Sequence, residues 1–215
     1  MQPYFMPYLG YFRLIARSEV FVVFDDVQFT RRGRVHRSQV DEATWLTLPL
    51  ARKPRDALIR DLEFARDARA VLDDRLERLP WLRTAKGPLA DRVRAYLYGE
   101  LGAPLDFVEA GMSLVADALG LPTVFMRSSS LDLDRSLKGQ HRVLTVVRAL
   151  GGDFYLNAPG GRALYDPDLF LQRGVGLGFL PPYAGPFRHL LRALVESDPE
   201  MLIRSLHAAP GYLRA

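Results

Sequence analysis

The run Glu19-Val20-Phe21-Val22-Val23-Phe24, closed by Asp25-Asp26, constrains the fold more than any other stretch. From Val20 to Phe24 every residue is apolar and β-branched or aromatic, so the segment has no polar face to turn to water. A strand of this kind is covered on both sides, as in a parallel sheet between helices. Ahead of it, residues 11–17 can form a short helix, with Leu9-Gly10 at its mouth. Turn, helix, buried strand is the second half of a βαβ unit whose first strand lies at or before Gln2. The aromatic segment from Pro3 to Phe12 is broken by Pro3, Pro7 and Gly10. It therefore fits neither a core strand nor a membrane anchor, and reads as a stiff loop closing over a ligand.

Further strands are expected at 44–49, 58–64, 123–126, 154–156 and 175–179. Leu72, Leu76 and Leu79 mark an amphipathic helix over 66–79. Helices follow at 85–98 and 105–119, the latter stopped by Gly120 and Pro122. Ser136 can cap a helix running to Leu150. Phe187, Leu190, Leu191, Leu194 and Val195 form a helical stripe, and Asp198-Pro199-Glu200 starts a last helix. The fold class is α/β: a three-layer domain over 1–215 with a mainly parallel sheet, and a helical insertion or cap over 65–120. A chain of 215 residues can bury a core of useful size.

Composition excludes several chemistries. With no cysteine there are no disulfides, thiolate nucleophiles or Cys-based zinc sites, which fits a cytoplasmic protein. The net charge is +4, too small to imply nucleic-acid binding, and no specific nucleic-acid partner is expected. Only three basic residues (Lys53, Lys86, Lys138) are lysine, a bias that a GC-rich genome produces. The opening lacks a basic leader region, and no apolar run approaches a membrane span, so neither export nor membrane insertion is expected.

Candidate chemistry gathers after the strand. Asp25 and Asp26 fall at its carboxyl end, where open α/β sheets bind ligands. They can hold Mg²⁺ or orient a substrate hydroxyl or amine; alternatively, one caps the next turn and the other pairs with an arginine. Four arginines and a histidine follow within residues 31–37. They can clamp a phosphate or diphosphate through planar guanidinium forks, or protect an exposed edge strand. Lys138 and Arg142 lie in the first turn of a helix, where basic residues oppose the dipole unless an anion is held there. The loop from Asn157 through Gly160 follows a strand end, and its amides can line a pocket or make a plain turn. His189 and His207 fit structural roles on amphipathic helices. No spacing marks a zinc site, and no nucleophile elbow is present.

Gln2-Pro3, Pro7-Tyr8-Leu9-Gly10-Tyr11-Phe12, Leu14-Ile15, Asp25-Asp26-Val27-Gln28, Arg32-Gly33 and Arg37 together resemble the WbqC-like family. Arg142, Ala149-Leu150-Gly151, Tyr155-Leu156, Pro159-Gly160 and Tyr165 extend the resemblance over nearly the whole chain. It implies a role in bacterial surface-polysaccharide (O-antigen) biosynthesis, decorating an amino sugar with an acyl or aminoacyl group. The chain departs from the family pattern in having few residues before Gln2, a shorter segment after Arg37, and His189 and Arg192 where a Ser and an Asp are often seen. By analogy, Tyr8-Leu9-Gly10-Tyr11 has the spacing of the H-x-G-H motif of nucleotidylyltransferase (HUP-like) folds, which holds nucleotide phosphates. Tyrosine can donate a hydrogen bond there but brings no positive charge, which the arginines and Lys138 would supply.

The expected site is one pocket at the strand ends. Asp25, Asp26, Arg37 and Lys138 are its expected catalytic groups. Tyr4, Tyr8, Gly10, Tyr11, Gln28, Arg32, Arg142, Asn157 and Gly160 would bind substrate and phosphate, and no residue is assigned to a metal. The expected function is a transferase acting on a nucleotide-linked amino sugar, with that sugar nucleotide and an acyl or aminoacyl donor as partners. Two alternatives remain: an ATP- and Mg²⁺-dependent nucleotidyl or acyl-adenylate-forming enzyme, and a non-catalytic nucleotide-sugar-binding module.

Overall fold

The apolar run becomes a parallel strand. In a computed structural model describing residues 1–134, 136–208 and 211–214, helix α1 (Leu9–Ile15) leads into β1 (Val20–Val23). The Met1 amino group donates to Val22 O at 2.8 Å, and the Phe24 N–H donates to Met1 O at 2.7 Å. The expected first strand is thus represented by two ladder bonds along one edge of β1. Phe21 and Val23 are buried, while Val20 is exposed at the strand's start.

Next comes an antiparallel ribbon of β2 (Arg37–Gln39) and β3 (Trp45–Thr47). The strand expected over 58–64 is instead a single 3₁₀ turn at Ile59–Asp61. The Ile59 and Arg60 amides bond back to Val27 O and Asp25 O, so this segment clamps the chain leaving β1 rather than joining a sheet. Four helices follow: α2 (Ala68–Glu77), α3 (Pro80–Thr84), α4 (Pro88–Tyr98) and α5 (Pro104–Ala118). Then β4 (Val124–Arg127) pairs in parallel with β1, Val20 opposite Val124 and Val23 opposite Arg127. Helix α6 (Gly139–Ala149) starts later than Ser136, because Asp134 takes the Ser136 amide into a turn at 2.8 Å.

The last part contains β5 (Phe154–Asn157), an unexpected helix α7 (Pro167–Gln172), β6 (Gly176–Phe179), α8 (Leu190–Glu196), α9 (Pro199–His207) and β7 (Leu213–Arg214). β5 and β6 pair in parallel, and β7 adds antiparallel to β6. The described residues make a mixed α/β molecule with small parallel sheets, many helices and no barrel.

Helices α3, α4, α5, α7 and α9 all carry proline in the first turn. Its fixed φ suits that position, and its missing N–H would have had no partner there. α3 and α4 pack on α8, joining the helical middle of the chain to its carboxyl-terminal helices. Leu72, Leu76, Val93, Leu97 and Leu191 are wholly buried in the main core, each worth about 1.5–3 kcal/mol of transfer free energy. A second core of Val143, Leu144, Phe170, Val175, Leu177 and Phe179 lies between α6, α7 and the β5–β6 pair.

Candidate functional site

The amino-terminal aromatics wall a cleft of about 280 Å³ lined by Tyr4, Met6, Tyr8, Arg34, Ser38, Gln39, Tyr183 and Arg188. Prolines keep residues 3–8 out of any helix or sheet, and tertiary bonds hold the loop in place. The Ser38 hydroxyl donates to Met6 O at 2.7 Å, and the Phe5 amide donates to Arg34 O at 3.2 Å. Met6 has φ +43°, a left-handed conformation that a non-glycine residue keeps only when its surroundings enforce it. Tyr8 packs 5.8 Å from Tyr183, and Tyr4 packs 5.6 Å from Tyr11. Gly10 is required here: a Cβ would lie 2.2 Å from the Tyr8 ring and 2.6 Å from Tyr183 Cβ.

Burial raises the Tyr4 and Tyr8 hydroxyl pKa values above normal against the opposing pull of Arg34, so both are hydrogen-bond donors at neutral pH. Tyr11 is raised further by burial and donates to Gln2 O at 2.7 Å. The Arg34 guanidinium sits 4.3 Å from the Trp45 ring centre and 5.8 Å from that of Tyr4. Arg37 stacks on Trp45 at 4.7 Å, donates to Gly33 O at 3.0 Å and also bonds Arg32 O. It staples the arginine loop, and Arg32 itself points outward.

The carboxylates form a different assembly. Asp25 is buried, and its Oδ1 accepts from the Ser129 amide at 2.9 Å and its Oδ2 from the Ser129 hydroxyl at 2.5 Å. The Ser128 hydroxyl lies 2.5 Å from Asp26 Oδ1 and 3.1 Å from Asp25 Oδ1. Asp26 Oδ2 accepts from Arg142 at 2.6 Å. Burial would raise the Asp26 pKa, but the hydrogen bonds from Ser128 and Arg142 hold it below the ordinary carboxylate value. All four oxygens are engaged, and a guanidinium stands beside them. As arranged, the pair does not fit Mg²⁺, and among the described residues no His, Asp and Glu side chains gather into a metal-binding group.

A second cleft of about 340 Å³ uses the other part of the β2–β3 ribbon. Arg31, His36, Arg52, Lys53 and Arg75 surround an apolar floor that includes Phe29, Leu48 and Leu62. Lys53 pairs with Glu63 at 2.6 Å. Burial, aided by Arg37 and Arg75, pushes the His36 pKa down to about 4, so the imidazole is neutral there.

The residues expected in one pocket are therefore dispersed. Tyr4 and Tyr8 enter the aromatic cleft; Asp25, Asp26 and Arg142 make the joint between β1 and β4. Gln28 is exposed and donates to Arg55 O at 2.8 Å. Lys138 is exposed ahead of α6. Asn157 is buried and its Oδ1 caps the Ala158 amide at 2.7 Å, while Gly160 is exposed in the following turn. His189 contacts Glu42 at 3.2 Å, and Arg192 pairs with Glu196 at 2.7 Å. Sequence reasoning had Arg34 only as one of the four arginines of a possible phosphate clamp, and missed Arg188, Tyr183 and the buried Arg13. Only Arg13 had a usable signal, as the one charged residue in a helix otherwise apolar all round.

The sequence pattern that defines the WbqC-like protein family matches residues 2–189. The chain belongs to the WbqC-like family. A stretch of 58 residues is 34% identical to an uncharacterized protein of Mycobacterium tuberculosis, Rv1507c, covering 26% of this chain and 25% of that protein. No solved structure matches the chain. The matched residues include all those that line the aromatic cleft and those of the β1–β4 joint. Among the described residues, no helix is long and apolar enough to cross a membrane.

Proposed function

We propose that this WbqC-like protein is a cytoplasmic transferase of surface-polysaccharide assembly that acylates or aminoacylates a nucleotide-linked amino sugar. One observation carries the reading: two clefts draw on the same β2–β3 ribbon, both contain arginines, and no carboxylate lines either. A two-substrate reaction with anionic partners needs such a pair. In the aromatic cleft, the Tyr4, Tyr8 and Tyr183 rings offer faces to the sugar, and Arg34 and Arg188 hold the diphosphate. The basic cleft takes the anionic end of an activated acyl donor. The amine lone pair forms the new C–N bond at the donor carbonyl, the bond to the leaving group breaks with its electron pair, and the amine proton passes to water. The protein contributes proximity and charge, worth orders of magnitude in effective concentration. In this reading Asp25, Asp26 and Arg37 serve the framework, and the exposed Lys138 takes no part. A nucleotidylyltransferase-like arrangement of the parallel pairs β1–β4 and β5–β6, which belong to separate small sheets, is part of this reading.

A non-catalytic sugar-nucleotide-binding module is the second reading, favoured by the lack of a ready general base among the aromatic cleft's lining residues. Calorimetric titration with UDP- or dTDP-linked amino sugars, followed by mass spectrometry with ATP plus amino acid and with acyl-CoA, separates the two. Binding with transfer supports the transferase, and binding without product supports the module. Absence of binding, or binding unchanged by Arg34→Gln and Arg188→Gln, overturns both.

A further inference from the structure

Among the described residues Arg13 is the largest wholly buried side chain, 1% exposed, and has no counter-charge. Its Nη1 donates to Pro181 O at 3.2 Å. Its Nε and Nη2 are shut off from solvent and have no hydrogen-bond partner. No ion pair to a carboxylate is formed among the described residues. The charged group facing it is another cation, Arg17, one turn along, whose Nη1 donates to Arg13 O at 3.3 Å. The Tyr183 ring centre is 6.0 Å from the guanidinium, at the outer limit of a useful cation–π contact. Burial, with Arg17 next, lowers the Arg13 pKa from its normal value. A charge in this setting is costly unless something else completes it.

Arg13 borders a small cavity of about 20 Å³ whose walls include Tyr8, Gly10, Tyr11, Pro159 and Tyr183. That space holds about one water molecule and no phosphate. Tyr8 and Tyr183 also line the aromatic cleft, so these two rings are the partition between cleft and cavity. The Tyr183 hydroxyl is anchored by the Phe187 amide at 3.1 Å, whereas Tyr8 meets it by ring contact, so rotation of the Tyr8 side chain can open the partition.

We propose that Arg13 is the counter-charge for an oxyanion, phosphate or carboxylate, that reaches it from the aromatic cleft when the Tyr8–Tyr183 partition turns aside. The ligand's oxygen takes the free Nε–H and Nη2–H, a pairing that suits the planar guanidinium. The protonated Tyr8 hydroxyl is a further donor on the path. The site rests on the proposed ligand cleft as its entrance, but it does not require the ligand to be a sugar nucleotide.

The test uses the whole protein, with inorganic pyrophosphate and malonate as separate probes for the phosphate and carboxylate sources. Thermal melts are followed in wild type, Arg13→Met and Arg188→Gln. One of the two anions is expected to raise the wild-type melting temperature by several degrees. In Arg13→Met that rise is lost, while the ligand-free protein melts at or above wild type because an unpaired charge has gone. Arg188→Gln weakens sugar-nucleotide binding and reduces the rise without abolishing it, whereas only Arg13→Met abolishes it, so failure of the sugar-nucleotide reading and failure of the Arg13 site give different results. If Arg13→Met does not fold, arginine Nε–H resonances of the wild type decide. A slowly exchanging Nε–H signal must move on adding the effective anion. The proposal is overturned if neither anion shifts wild type, if Arg13→Met melts lower yet retains the rise, or if no protected Nε–H signal moves. A water molecule alone then completes Arg13.

Discussion

The joint between β1 and β4 and the cleft behind the amino-terminal loop are built from the same kinds of groups, charged and hydroxyl side chains, but their degrees of satisfaction differ. In the joint, every oxygen of Asp25 and Asp26 has a donor, supplied by Ser128, Ser129 and Arg142. In the region around the cleft, Arg13 is buried with two nitrogens unpaired, Met6 is held at positive φ, and Arg34 and Arg188 face open space. The joint is closed but for the buried Arg142 Nε, and a nearly closed polar network stiffens a fold; a cleft lined by arginines and no carboxylate is arranged for an anion. The amino-terminal region is therefore the better candidate for ligand chemistry, even though the carboxylates looked more catalytic.

Asp26→Ala tests this contrast most severely. It leaves the nearly buried Arg142 guanidinium without its partner, so a loss of about 3–5 kcal/mol is expected in urea denaturation. Sugar-nucleotide affinity of the folded fraction should not change, and if it collapses, the joint is part of the site. Gly10→Ala comes next. Its methyl group would overlap the Tyr8 and Tyr183 rings, for an expected cost of about 1–3 kcal/mol in thermal melts, together with weaker ligand binding. Arg188→Gln is expected to weaken sugar-nucleotide binding about tenfold, or ~1.4 kcal/mol, by calorimetry, and to leave stability within about 0.5 kcal/mol of wild type.

A pH effect separates the two regions further. Folded His36 binds its proton only near pH 4, against an ordinary value of 6.5, so the unfolded chain takes up more protons between those values. Its contribution to stability is full above about pH 6.5 and is lost as pH falls towards about 4. Asp26, held below its ordinary value of 3.8, gives up its contribution only at lower pH. Melting temperatures between pH 7 and 5 should thus fall less in His36→Gln than in wild type. Lys138→Gln is expected to have the smallest effect, under about 0.5 kcal/mol and without consequence for binding, because the side chain is exposed. A marked loss of affinity in that variant would restore Lys138 to the site.

Local pattern made much of the framework legible. The β1 run, the strand ends at 123–126 and 154–156, and the leucine stripes of α2 and α8 were visible because side-chain period and proline or glycine punctuation act over a few residues. The segment 58–64 misled, because its apolar residues serve an isolated turn that clamps the loop after β1. The polar groups were visible as types and not as partners. Nothing near Asp25 in sequence names Ser128 and Ser129, more than a hundred residues away. Arg13 on α1 and Arg17 in the turn just past it look alike until Pro181 is folded over the first of them.

Residue type and short-range spacing suffice to place an aromatic, proline-broken loop ahead of a buried strand that ends in two carboxylates. Which polar groups are satisfied follows from long-range contacts alone. The Ser128–Ser129 turn and Arg142 complete the carboxylates, whereas the loop at 181–188 closes over Arg13 with a single acceptor, Pro181 O, and leaves its Nε and Nη2 unpaired. Hydrogen-bond satisfaction depends on groups brought together from distant parts of the chain, and it separates the structural joint from the candidate site.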